Sequence, residues 1–377
     1  MAKLAINPQI LSWAIDNADV SLERVCIATG RELEIVQSWI SGDTEPTKGD
    51  VQKIGRLLGR SLQFFFLSKP PEESPAVARF RSAIDGSSLD PTQELNAIRR
   101  ASRLQRIARA GLETHNEDAV SLPRITSNPN NYAAIMREFL GWDTRRDQIA
   151  TTSKSATFKS LRRRIESLDI VVVYLDMGEG NCRGFSLTDK VAPLIAINSA
   201  YSNAALKSFT LLHELGHLAK GSGSVCHFED TAEERWCDRF ASAFLLPEQE
   251  VLEYFSYKQW NRVTTDNYRD RVRLTSGRFK ASWKSVALRL KELGLADQNV
   301  VDVVFSGTDD MQERAGFNPN GGRRTPEIRL DYFGRTFTRS VLNLYDHDSL
   351  SEFDTRRYLN VNSSELQAVR SLLAGDQ

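Results

Sequence analysis

The segment Phe209-Thr-Leu-Leu-His213-Glu214-Leu-Gly-His217-Leu-Ala219 places two imidazoles and a carboxylate within five residues. On a helix, His213 and His217 stand at i and i+4, so both rings leave one face and can meet a single ion. Glu214 is rotated from them by about 100°, close enough to reach water beside the ion without itself being a ligand. Leu211, Leu212, Leu215 and Leu218 surround these groups, the pattern of a buried helix. Two histidines and a carboxylate are costly there unless paired or metal-bound. The chemistry that fits is hydrolysis assisted by zinc. The metal would lower the pKa of a water molecule to about 7, and Glu214 would act as the catalytic base, taking the proton and returning it to a leaving amine.

A site that keeps a position open for water needs a third protein ligand. The run Glu233-Glu-Arg-Trp-Cys-Asp-Arg-Phe-Ala-Ser-Ala-Phe-Leu-Leu-Pro247 supplies it. Glu234 and Asp238 are again i and i+4, so Glu234 can complete a set with His213 and His217, one zinc per chain. Asp238 can then take the free N–H of a ligating histidine. Glu233 competes for the ligand role but leaves the face that carries Asp238. His227 follows His217 by ten residues, among Gly221, Ser222, Gly223 and Ser224. It reads as a loop histidine able to touch substrate, with metal ligation as the alternative. Tyr254, Tyr257 and His227 are the candidates for stabilising an oxyanion.

These helices need a platform. Residues 158–169 read as a helix, and Ile170-Val-Val-Val-Tyr-Leu175 is a β-branched run typical of a strand. Cys182–Ser186 and Ala192–Asn198 read as two more strands before a long helix from about Asn203. The expectation is an α+β core with a small sheet. Pro193 at the start of the third strand is compatible with a sheet edge. An extended substrate could pair there, which makes Leu194, Ala196 and Asn198 substrate-binding candidates.

His-Glu-x-x-His followed by Glu-x-x-x-Asp on a second helix resembles the ligand arrangement of thermolysin-like zinc peptidases. The fuller string, with Phe240, Ala241 and Phe244-Leu-Leu-Pro247, looks more like the ImmA/IrrE-type metallopeptidases, over roughly residues 158–295. Trp236, Cys237 and Asp238 depart from that family's common residues without removing a ligand. The resemblance implies a zincin-like metallopeptidase core and a zinc endopeptidase of narrow specificity. It also implies a transcriptional repressor or other regulatory protein as substrate, in a bacterial or mobile-element stress response.

Residues 1–68 read as short helices punctuated by Gly30, Gly42 and Pro46. They resemble the helix-turn-helix domain of XRE-type regulators, a pairing common in ImmA/IrrE proteins. The resemblance implies DNA binding, with Arg31, Gln37 and Lys48 as candidate contacts. The charges oppose it: seven basic residues face eight acidic ones, and Glu32 and Glu34 sit where bases would be read. A duplex binder normally neutralises several phosphates, so weak DNA binding or a protein contact is expected.

Four regions follow: residues 1–68; a linker and helical connecting region, 69–157, with a Pro-rich start and an Arg-bearing helix from Leu95 to Ala110; the peptidase region, 158–299; and a helical module, 300–377. Over 377 residues Lys+Arg and Asp+Glu both total 49, so no global excess of positive charge draws the chain to nucleic acid or anionic lipid. No apolar run approaches the roughly 20 residues of a membrane span, and no membrane partner is expected. Cys26, Cys182, Cys226 and Cys237 are widely spaced; they read as thiols of a reducing compartment, with a cytoplasmic location. The competing function class is a DNA- or protein-binding, antitoxin-like regulator in which the zinc peptidase fold is vestigial or structural.

Overall fold

A computed structural model describes residues 3–18, 20–70, 92–114, 119–178, 182–222, 231–307 and 325–375. It divides into two compact units, residues 1–102 and 103–377. The boundary between them falls inside the 69–157 region of the four-part division expected from the sequence.

The first unit holds α1 (Pro8–Ala18), α2 (Leu22–Thr29), α3 (Leu33–Ser41) and α4 (Lys48–Leu57), then a 3-10 turn at Leu62–Phe66. Gly30 and Gly42 end α2 and α3 in the left-handed conformation, which glycine adopts without a Cβ penalty. Thr47 and Asp50 form a capping box at α4. Ile10, Leu11, Val25, Val36, Val51, Ile54 and Phe65 make the buried core of this unit. Helix α5 (Thr92–Glu113) carries the boundary between the units.

The second unit continues through α6 (Pro129–Phe139) and α7 (Lys154–Glu166) into a three-stranded sheet of β1 (Val171–Leu175), β2 (Gly184–Leu187) and β3 (Leu194–Asn198). Helices α8 (Ala204–Lys220) and α9 (Ala232–Leu245) follow. Next come α10 (Glu248–Tyr257), α11 (Tyr268–Phe279), α12 (Trp283–Glu292) and α13 (Gln298–Ser306). The last helices are α14 (Thr325–Phe333), α15 (Arg335–Asp346), α16 (Glu352–Leu359) and α17 (Ser363–Ala374). Mostly helical with one small mixed sheet, the chain has the α+β character expected.

The strand order is β1-β3-β2. Strand β3 pairs in parallel with β1 and antiparallel with β2. This corrects the expectation of an edge at Pro193–Asn198: β3 is the central strand, its main chain engaged on both sides, and Leu194, Ala196 and Asn198 are buried. Their backbones are not available for pairing with an extended substrate. Asn198 instead clamps the chain after β1, donating to the carbonyls of Gly178 and Cys182 and accepting from the amides of Met177 and Ala200.

Every residue of the three strands is buried, because helices cover the sheet. Helix α8 packs on β2 and β3, while α14 and α15 pack on β1. Gly334, between α14 and α15, has φ +76, and a Cβ there would lie 2.4 Å from the Val172 carbonyl oxygen. Only glycine allows this close approach to the sheet. Helix α9 lies against both α8 and α6. Cys26 and Cys237 are free thiols, whereas Cys182 is disulfide-bonded, against the expectation for that residue.

Candidate metal centre

Helix α8 begins at Asn203, whose side chain accepts from the Leu206 amide, and ends at Gly221 with φ 71. Between these stops it buries Leu211, Leu212 and Leu215 completely, which fixes its rotation and aims the His213–His217 face at α9. Helix α9 is capped by Thr231, whose hydroxyl accepts from the Glu234 amide at 3.2 Å. Glu233 and Glu234 are thus in its first turn, where the helix dipole favours negative charge. The two helices come close at Gly216, where a Cβ would stand 3.1 Å from the Cys237 sulfur and 3.2 Å from the Phe240 ring. Trp236 extends the same contact: it stacks on Phe240 and donates to the Ser127 carbonyl at 3.1 Å.

The three candidate ligands converge. Nε2 of His213 and Nε2 of His217 are 3.1 Å apart. The Glu234 carboxylate lies 3.1 Å from the first and 3.2 Å from the second. Among the described residues, His213, His217 and Glu234 form a group able to hold a metal ion, with ligand atoms within 4.8 Å of one another. Tetrahedral zinc with ligands at about 2.0–2.1 Å places them about 3.3 Å apart, so the spacing suits that ion.

The outer nitrogens explain the orientation. Nδ1 of His213 lies 2.9 Å from Oδ1 of Asp238, and Nδ1 of His217 lies 2.9 Å from Oε1 of Glu233. An ionised carboxylate only accepts hydrogen bonds, so both Nδ1 atoms carry hydrogen, and the Nε2 atoms are the nitrogens that face the centre and would coordinate a metal once deprotonated. This is the arrangement a metal requires of its histidines. Glu233, weighed from sequence only as a rival ligand, holds the second histidine, and the Ser222 hydroxyl donates to it. The paired acidic residues at 233 and 234 were the signal for such a division of roles, but sequence does not show that the two carboxylates straddle one imidazole.

Charge follows this geometry. Burial opposes protonation of His213, yet the hydrogen bonds to Asp238 and Glu234 raise its pKa to about 10 in the metal-free protein. His217 is also raised, its burial outweighed by Glu234 and Glu214. Burial would raise Glu233, but Ser222 and His217 hold it below the usual carboxylate range. Burial, reinforced by the carboxylates of Glu234, Glu214 and Glu233, pushes the Cys237 thiol far up, so it stays neutral and is no thiolate ligand. Glu214 is 2% and His217 1% exposed, the side chains of His213 and Glu234 are 12% and 13% exposed, and the outer acids Glu233 and Asp238 reach solvent.

The remaining candidates lie elsewhere. Tyr254 is packed against Trp260 and Phe279, and Tyr257 is 79% exposed; neither acquires an oxyanion role from the structure. His227 falls outside the described residues. In the first unit Arg31 binds both oxygens of Asp50 at 3.2 Å, while Gln37 and Lys48 are exposed.

Residues 165–291 match the family profile of the IrrE N-terminal-like domain, a peptidase family. The match spans the sheet, α8 and α9, and so the whole triad. It supports a metallopeptidase domain of the ImmA/IrrE type. No curated protein and no solved structure matches the chain.

Proposed function

We propose that the chain is a zinc-dependent endopeptidase of narrow specificity, with His213, His217 and Glu234 holding one zinc ion and Glu214 serving as the base. The observation that carries this reading is the convergence of two Nε2 atoms and one carboxylate on α8 and α9, with both Nδ1 atoms tied to acids. Zinc, when bound, supplies a Lewis acid for the scissile carbonyl and the attacking water. Glu214, buried beside the ligands, takes the proton of that water and delivers it to the leaving amine. Asp238 and Glu233 keep the imidazoles turned inward throughout.

We further propose a transcriptional repressor or another regulatory protein as substrate, in a bacterial or mobile-element stress response. The first unit then contributes a contact to that protein or to its DNA. The test is to incubate the zinc-loaded chain with candidate repressors, beside Glu214→Gln. Cleavage by the wild type and none by the variant, at equal zinc content, is expected. Equal cleavage by both would remove Glu214 as base, and zinc without any cleavage would favour the antitoxin-like regulator.

A further inference from the structure

Helix α9, which carries Glu233, Glu234 and Asp238, stops because of its own sequence. The Leu246 amide still donates to Ser242, but Pro247 has no N–H to offer the Ala243 carbonyl. The carbonyls of Ala243, Phe244, Leu245 and Leu246 therefore need partners from outside the helix. All four residues are buried, where an unpaired carbonyl is costly. Three side chains from three separate elements supply the donors. Arg137 on α6 donates to Ala243 at 2.8 Å and to Phe244 at 3.3 Å. Gln148, in the π-helical turn Thr144–Ile149, donates to Leu245 at 2.6 Å. Arg289 on α12 donates through Nε to Leu246 at 3.0 Å. Two guanidiniums at this end and two glutamates in the first turn both suit the dipole of α9.

Gln148 is completely buried. Its Nε2 also donates to the carbonyl of Phe279, the last residue of α11, and its Oε1 accepts from the Trp142 indole at 3.4 Å. An indole N–H only donates and a carbonyl only accepts, so these partners fix which way the amide points. One side chain thus ties the ends of α9 and α11 together. Arg289, equally deep, ties Leu246 to Asn130 of α6 at 2.8 Å and to Glu292 at 2.7 Å. Arg137 is partly buried.

The packing of α9 on α8 at Gly216 sets how closely the helices lie, but apolar contact is non-directional, whereas hydrogen bonds weaken steeply as their angle changes. From Leu245 back to Glu234 is eleven residues, about 16 Å of helix. Turning α9 by about 10° would carry a side-chain end at its outer radius about 1 Å, well beyond the roughly 0.2 Å that a metal bond tolerates. We propose that Arg137, Gln148 and Arg289 are positioning residues of the metal centre. Holding the far end of α9, they fix its rotation and axial position, and so set Glu234 on the metal and Glu233 and Asp238 on the imidazoles. The effect on zinc rests on the metallopeptidase reading; the effect on the imidazoles does not.

The experiment compares four variants of the full chain with the wild type, well below their melting temperatures. Gln148→Met keeps the volume without the donors, Arg137→Met removes a second donor, and Arg137→Lys restores one. Val369→Ala on α17, which packs on α14 and α15, controls for lost stability alone. Zinc affinity is measured by competition and ligand geometry by the cobalt absorption spectrum. In the metal-free protein, proton–nitrogen NMR follows the Nδ1–H groups of His213 and His217. Gln148→Met and Arg137→Met should weaken zinc at least tenfold, alter the cobalt bands and shift or broaden the Nδ1–H signals. Arg137→Lys should regain most of each, and Val369→Ala should melt lower yet match the wild type in all three. Lower melting of the Gln148 and Arg137 variants with unchanged metal affinity and Nδ1–H signals would overturn the proposal, leaving the three residues as stabilisers of the fold. If Gln148→Met does not fold, the two Arg137 variants decide by the same measurements. A wild type that takes up no zinc would end the peptidase reading, while the Nδ1–H signals would still separate positioning from stability.

Discussion

The His217 imidazole is held from both sides by adjacent residues: Oε1 of Glu233 lies 2.9 Å from Nδ1, and Oε1 of Glu234 lies 3.2 Å from Nε2. Neighbours on a helix diverge by about 100°, and the imidazole fits between them. The two acids therefore have different duties. Glu234→Ala removes a ligand and should abolish stoichiometric zinc at micromolar concentrations. Glu233→Ala leaves three ligands and should retain zinc with affinity weakened about 10–100-fold, the usual effect of losing an outer partner. Metal analysis after dialysis against a graded chelator separates the two, and zinc retained by Glu234→Ala but lost by Glu233→Ala would exchange the roles.

The His213 pKa of about 10 in the metal-free protein sets a pH dependence. Raised above the unfolded value, it contributes stability that is fully present below about pH 6.5 and is lost as pH rises through about 10. Metal must displace the same proton, because a ligating histidine is neutral. Zinc uptake at pH 7.5 should therefore release at least about one proton per chain, and apparent affinity should fall roughly tenfold or more for each unit of decreasing pH. Calorimetry in two buffers of different ionisation enthalpy measures the release. Uptake without proton release would contradict the raised pKa.

Much of the centre was legible because helical spacing is strict: His213, His217, Glu234 and Asp238 each sit at i and i+4 of a partner, and that periodicity fixes a shared face. The β-branched run at Val171–Leu175 likewise announced a strand. What could not be read was the order of strands. Pro193 is compatible with an edge, but it precedes β3, and its missing N–H says nothing about the residues that follow. Pairing on both sides of β3 depends on contacts distant in sequence, as does the packing of α14 and α15 on β1.

In the first unit, Arg31 binds Asp50 with both Nε and a terminal nitrogen at 3.2 Å, so one expected phosphate contact is already engaged. Ile27, Leu33 and Ile35 are 80%, 40% and 40% exposed, and Glu32 and Glu34 are exposed beside the last two. This acidic and apolar surface suits protein better than phosphate. The full chain should bind a random-sequence duplex no more tightly than about 10 μM at 0.15 M salt, with a shallow salt dependence. Fluorescence anisotropy over a salt series checks this, and nanomolar binding with a steep slope would restore DNA as the partner.

Lys207 gives a prediction that concerns stability alone. Its pKa of about 8 results first from burial and then from Arg162, and lies below the roughly 10.4 of an unfolded lysine. Between those values the unfolded chain binds more protons, so the contribution of Lys207 to stability rises with pH across that window. Below about pH 8 both states are protonated and the folded chain bears the whole penalty of the buried charge, at most about 3 kcal/mol. Its ring contact with Tyr174 offsets part of it. Lys207→Met keeps most of the stem and removes the charge. The variant should therefore melt a few degrees above the wild type at pH 7, and the gap should close by about pH 10 as the native lysine loses its proton. Melting curves at matched ionic strength, on both proteins at three pH values, provide the measurement. A variant less stable than the wild type at pH 7, by the same margin at pH 10, would mean that Lys207 is held by packing of its stem, not opposed by burial of its charge.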